Sequence, residues 1–124
     1  MALSIKYCHT RKIVHRDVKL ENFLINLTDI DDEQVEMKVK LCDFGLAFPY
    51  DPDKPPTEKC GSILAVAPEI LTDDSYCYKV DIWALGIILY ELLSTKLPFY
   101  DESDNIYKKN IISQPLDLSD KESW

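Results

Sequence analysis

The chain has 124 residues, a 46% apolar fraction and a net charge of −8 at pH 7, with a pI near 4.6. That length fits one domain, and the acidic balance argues against nucleic acid and anionic membrane surfaces, both of which need a basic footprint. Four scattered cysteines, Cys8, Cys42, Cys60 and Cys77, form no C-x-x-C pair, which argues against a zinc site or a disulfide framework and fits reduced thiols in a cytoplasmic or nuclear setting.

Residues 1 to 10 place Leu3, Ile5 and Tyr7 among small polar residues and read as the tail of a helix, with His9 packed at its end. They lack the charged start and long apolar core of a signal peptide. Next, Ile13-Val14-His15-Arg16-Asp17-Val18-Lys19-Leu20-Glu21-Asn22-Phe23-Leu24-Ile25 sets a His-Arg-Asp step, a lysine and an asparagine between two apolar runs. The pattern predicts a polar loop between buried walls, with a strand over residues 23 to 26 after it. Asp17 and Asn22 then lean into one cleft, with Lys19 supplying a cation between them. A second predicted strand, residues 37 to 42, returns to deliver Asp43 at its end, ahead of Phe44 and Gly45. Gly45 permits a turn where a side chain would crowd a ligand. The connection, residues 27 to 36, is long and carries Asp29, Asp31, Asp32, Glu33 and Glu36. Such a run reads as a solvated loop, with a docking site for basic substrates as the alternative.

Residues 46 to 66 hold Pro49, Pro52, Pro55 and Pro56 with Asp51 and Asp53, a composition that sustains neither helix nor central strand. This mobile loop offers Thr57 and Ser62 as hydroxyls. Ala67-Pro68-Glu69 follows. Residues 81 to 93 are apolar on nearly every face, so this helix is expected to be enclosed on all sides; its longest apolar run, broken by Gly86, is too short to span a bilayer. A turn with Pro98, the acidic residues Asp101, Glu102 and Asp104, and an amphipathic helix over 104 to 113 through Ile106, Tyr107, Ile111 and Ile112 complete the pattern.

His15-Arg16-Asp17, Asn22, Asp43-Phe44-Gly45 and Ala67-Pro68-Glu69, in that order, resemble the signature set of the protein kinase family. The resemblance runs from about Leu3 to the C-terminus. Asn22-Phe23-Leu24-Ile25, Cys60-Gly61-Ser62 and residues 86 to 93 are most similar to calcium/calmodulin-dependent and calcium-dependent Ser/Thr kinases. It implies a mainly α fold with a small β-hairpin: the C-terminal lobe of the kinase-like α+β fold, incomplete, with residues 1 to 124 forming a partial kinase domain. A complete kinase needs about twice this length for two lobes, so the ATP-binding lobe, the final helices and the arginine partner of Glu69 are expected to lie outside these residues. The implied chemistry is transfer of a phosphoryl group from ATP to Ser/Thr hydroxyls of protein substrates with Mg2+. In it, Asp17 orients the acceptor and takes its proton, Lys19 steadies the transferred group, and Asn22 and Asp43 hold magnesium. Leu24, with Ile88 and Leu92 beneath it, lies on the nucleotide side; His15 and Phe44 stack in the core, and Asp81 anchors the loop backbone. Thr57 is read either as an ordinary loop threonine or as the carrier of a phosphate that pairs with Arg16, and Ser62 is expected to contact Asp17 and Lys19.

Two departures from the family pattern stand out. Ile63-Leu64-Ala65 replaces an aromatic pattern at the acceptor shelf, and Leu20 stands where proline is common. No EF-hand loop or calmodulin-binding helix appears in these residues, so calcium or calmodulin control is not legible here. The alternatives are a catalytically inactive kinase-like fragment acting as a protein-interaction module, and a small-molecule phosphotransferase, which would lack Ala67-Pro68-Glu69 and the long loop.

Overall fold

A computed structural model describes residues 1–31 and 34–118. Helix α1 (Ala2–Thr10) buries Ile5 and Cys8, and burial, helped by the nearby Asp81 carboxylate, pushes the Cys8 thiol up. Lys12, at φ 56°, turns the chain into strand β1 (Ile13–Val14). After the polar loop and a 3-10 turn at Leu20–Asn22 come β2 (Phe23–Asp31) and β3 (Gln34–Leu41). Strand β4 (Phe48–Pro49) pairs antiparallel with β1. A 3-10 turn at Ile63–Ala65 leads to α2 (Pro68–Thr72), α3 (Lys79–Ser94) and α4 (Asp104–Ser113).

The β2–β3 hairpin is longer than the expected pair of short strands. Pairing continues past Leu27↔Met37 to Asp29↔Val35 and Asp31↔Gln34, with an irregularity between Asp29 and Asp31. The charges of this stretch suggested a loop, yet Leu27, Val35, Met37 and Val39 keep the period-two alternation that a ladder needs. Asp32 and Glu33 of the acidic run lie outside the described residues, and Glu36 pairs with Lys38 at 2.9 Å. The register puts Phe23, Ile25 and Leu27 on one face with Met37, Val39 and Leu41. Its root packs into a cluster with Ile5, Val18, Ala84 and Ile88; further out, Ile25, Leu27, Val35 and Met37 are exposed. The β1–β4 pair was not expected, since two residues per strand leave no periodic trace. Pro49 fits there because it lies at a strand edge where no ladder donor is needed.

Helix α3 is the strut between two apolar clusters. Val80 joins Val14, Val66, Ala67, Ile70, Tyr76, Tyr107 and Ile111, whereas Ala84 and Ile88 join the hairpin cluster. Helix α1 and the second 3-10 turn pack against α3, so its Val80, Asp81, Ala84, Ile87 and Ile88 face is buried. The expected enclosure on all sides is not what the described residues show: Ile82, Leu89, Leu92 and Leu93 are each more than half exposed. Nor is Leu92 packed in: it is 56% exposed, and Leu24 is 57% exposed. Thr95 ends the helix in the left-handed region at φ 58° and donates its backbone N–H to Glu91 O. Tyr107, the largest fully buried side chain, donates its hydroxyl to Leu64 O at 2.8 Å; burial, with Glu91 nearby, pushes its pKa up to about 12. Glu69 is half-buried, so its carboxylate keeps solvent contact.

Candidate active site

The loop from His15 to Asn22 is held from below by one carboxylate. Asp81, 1% exposed, accepts the backbone N–H groups of His15 and Arg16, each at 2.9 Å, and meets His9 Nε2 at 2.8 Å. Its place in the first turn of α3 adds the favourable end of the helix dipole. The sequence suggested the Asp81 anchor but read His9 only as packing; its position in the last turn of α1 was the available signal.

These bonds fix the backbone of Asp17, whose carboxylate gathers three side chains. Ser62 donates its backbone N–H at 3.0 Å and its hydroxyl at 2.7 Å to Oδ1. Lys19 Nζ lies 2.9 Å from Oδ2 and donates to Ser62 Oγ at 3.1 Å. Asn22 donates its amide N–H to Asp17 O at 2.8 Å and to Oδ2 at 3.2 Å. Burial alone would raise the Asp17 pKa. The hydrogen bonds from Lys19 and Ser62, the Lys19 charge and the Asn22 bond together outweigh it, so the carboxyl sits below its usual range. Lys19 is correspondingly raised, mainly by its bond to Asp17.

His15 completes the support. Its Nε2 lies 3.0 Å from Cys42 O and its Nδ1 lies 3.4 Å from the Asp17 backbone N. An N–H on Nε2 and a bare Nδ1 satisfy both contacts. Phe44 packs edge-on against the ring, centroids 4.9 Å apart; the contact was expected, but Phe44 is 47% exposed, so the pair does not lie in the core.

The second carboxylate is held more loosely. Cys42 donates its backbone N–H to Asn22 O at 2.9 Å, which brings the end of β3 to Asn22 and so positions Asp43. Asp43 is exposed, has φ 59°, and accepts Gly45 N–H at 3.2 Å. A Cβ on Gly45 would stand 3.1 Å from Asp43 Oδ1, a tight approach that a side chain here would relieve only by displacing the carboxylate slightly. Asn22, having spent its N–H on Asp17, has its amide oxygen left to offer. One amide oxygen and one accessible carboxylate suit Mg2+, which keeps waters and takes phosphate oxygens for the remaining positions.

Arg16, at φ 68°, is the hub of the loop spanning residues 46 to 66. Its Nε donates to Leu46 O at 2.6 Å and its Nη1 to Tyr76 OH at 3.2 Å. Its Nη2 lies 3.3 Å from Glu58 Oε2, and its guanidinium covers the Phe48 ring at 5.1 Å. Tyr76 donates its hydroxyl to Glu58 O at 2.6 Å, and burial pushes the Tyr76 pKa up, so the donor proton is retained. Gly61, at φ 96°, lies so close that a Cβ would approach Arg16 O to 2.3 Å. Thr57 is exposed; the group on Arg16 is its neighbour's carboxylate. The sequence missed Glu58 and Tyr76, because separations of 42 and 60 residues from Arg16 leave no local mark.

Beside Lys19 and Ser62 opens a cleft of about 180 Å3 with Glu21, Leu64, Ala65 and Glu91 in its walls. Leu64 and Ala65 of the departure therefore form an apolar wall of this cleft. Among the described residues no helix is long and apolar enough to cross a membrane.

A family profile described as the protein kinase domain matches residues 1–123. A probable myosin light chain kinase of Dictyostelium discoideum is 37% identical over 95% of this chain and 32% of its own length. The Drosophila melanogaster ovarian-specific serine/threonine-protein kinase Lok is 43% identical over 82% of this chain and 21% of its own. The carbon catabolite-derepressing protein kinase of Saccharomyces cerevisiae is 41% identical over 87% of this chain and 16% of its own. The chain thus spans about a third or less of these relatives, 32% at most among the three. The family match over nearly the whole chain, set beside the Asp17 constellation, identifies it as a member of the Ser/Thr protein kinase family.

Proposed function

We propose that these residues form the acceptor-side and metal-side wall of an active Ser/Thr protein kinase that transfers the γ-phosphoryl group of ATP to protein hydroxyls. The observation that carries this reading is the Asp17 carboxylate, bonded at once by Ser62, Lys19 and Asn22. A carboxyl held below its usual pKa is a weak base at neutral pH. Asp17 therefore serves first to orient the acceptor hydroxyl, and takes its proton as that oxygen forms its bond to phosphorus. Lys19, cationic and touching both Asp17 and Ser62, stabilises the negative charge of the transferred group. Asn22 and Asp43 would hold magnesium, which when bound neutralises phosphate charge; Leu24, exposed on β2, offers an apolar surface on the nucleotide side. Glu21 and Glu91 in the cleft favour acceptor segments with a basic side chain near the Ser or Thr. Placement beside the calcium/calmodulin-dependent and calcium-dependent kinases rests on Cys60-Gly61-Ser62 and on residues 86 to 93. The test is phosphate transfer from MgATP to Ser/Thr peptides by the full-length protein. Asp17→Asn is expected to lower kcat by a factor of about 1,000 or more; undiminished transfer would reject the role of Asp17.

A further inference from the structure

Arg16 poses a problem of charge. Its side chain is only 6% exposed, and a guanidinium cannot shed its proton. Leu46 O and Tyr76 OH are neutral acceptors, and Phe48 offers a ring face. Asp81 takes the Arg16 backbone N–H. Glu58 is the carboxylate within ion-pair distance of the guanidinium among the described residues. It is gripped twice, by Arg16 at its side chain and by Tyr76 at its backbone oxygen. Three residues on, Gly61 lies against Arg16 O, and the next residue is Ser62, bonded to Asp17. The consecutive residues Arg16 and Asp17 thus clamp one short segment at both ends, Glu58 at one and Ser62 at the other.

We propose that Glu58 is a positioning residue: a built-in counter-ion that seats residues 58–62 on Arg16, so that Ser62 reaches Asp17 without phosphorylation of Thr57. The inference rests on the kinase reading above and goes further by assigning the anion that holds the loop. Glu58 is 70% exposed, so its grip is screened by salt and fails at high ionic strength. Loss of this charge frees the segment that walls the acceptor cleft and leaves the metal side untouched. Its signature is therefore a rise in KM for the acceptor peptide with KM for ATP unchanged.

The experiment uses the full-length protein after phosphatase treatment, with absence of phosphate on Thr57 verified by mass spectrometry. Wild type and Thr57→Ala are expected to show equal kcat/KM. Glu58→Gln should lose about five- to tenfold in kcat/KM, mostly through KM for the peptide, because a buried guanidinium is left unpaired. Glu58→Asp should recover part of the loss, and Glu58→Gln should cost nothing further in an Arg16→Gln background. Hydrogen exchange at residues 58–62 should quicken in Glu58→Gln whether or not the enzyme turns over. Wild-type kinetics and unchanged exchange in Glu58→Gln, or a wild type that phosphatase inactivates as fully as Thr57→Ala, would overturn the proposal. Absence of transfer in every variant would instead overturn the kinase reading, leaving exchange to decide the loop.

Discussion

The two carboxylates of the site differ in how they are held. Asp17 is held through the backbone N–H groups of its neighbours His15 and Arg16, which Asp81 accepts, and by Ser62, Lys19 and Asn22 at its carboxylate. Three separate stretches of the chain, residues 15 to 22, Ser62 and Asp81, thus meet around it. Asp43 projects from a strand end, exposed, and accepts the Gly45 N–H. On the proposed reading, the acceptor side is assembled by the fold itself, whereas the metal side is left open for a ligand to complete. Rigid placement where a hydroxyl must be aligned, and freedom where ions and phosphates must enter and leave, is a workable division for in-line transfer.

The contrast is broken most severely at Asp81. Asp81→Ala strands three buried or half-buried donors at once and is expected to cost about 3 to 5 kcal/mol of stability. Asp43→Asn, a change at an exposed carboxylate, should stay within about 0.5 kcal/mol while raising the Mg2+ concentration needed for transfer. Urea midpoints of the full-length variants compare the two, and equal midpoints would erase the distinction. A smaller effect is expected at Gly61→Ala, where the new Cβ meets Arg16 O at 2.3 Å with the backbone already at φ 96°. Strain of about 1 to 3 kcal/mol should appear as a raised KM for the acceptor peptide. An unchanged KM would mean that the close approach relaxes freely.

The smallest effect is a pH dependence that belongs to Asp17. Its folded pKa is depressed, so its stabilising contribution is fully present above the ordinary aspartate pKa of about 3.9 and is lost as pH falls through the lower folded value. Hydrogen exchange at Ser62 should therefore be free of any Asp17 titration from about pH 8 to pH 5 and lose protection only in stronger acid. Loss of protection centred near pH 6 would show that another group controls this contact.

What could be read from the chain beforehand was what is local. Residues 15 to 22 and Asp43-Phe44-Gly45 carry their chemistry in consecutive letters, and helices over 1 to 10, 81 to 93 and 104 to 113 show in apolar spacing. Asp81, placed by resemblance, lies where expected. The contacts that escaped depend on distant partners: His9 with Asp81, Arg16 with Glu58 and Tyr76. The extended β2–β3 ladder was masked by carboxylates, which outweighed a period-two apolar pattern running beneath them. Helix α3 was misjudged for a different reason. Composition says that a helix is apolar all round, but which side is covered depends on what packs there.

The hydroxyl of Tyr107 carries one further consequence. By tethering Leu64 O from behind, a residue of α4 sets how far one wall of the cleft stands from Lys19. If that cleft receives the acceptor as proposed, changes on α4 retune which hydroxyls fit while Asp17 and Lys19 stay unaltered.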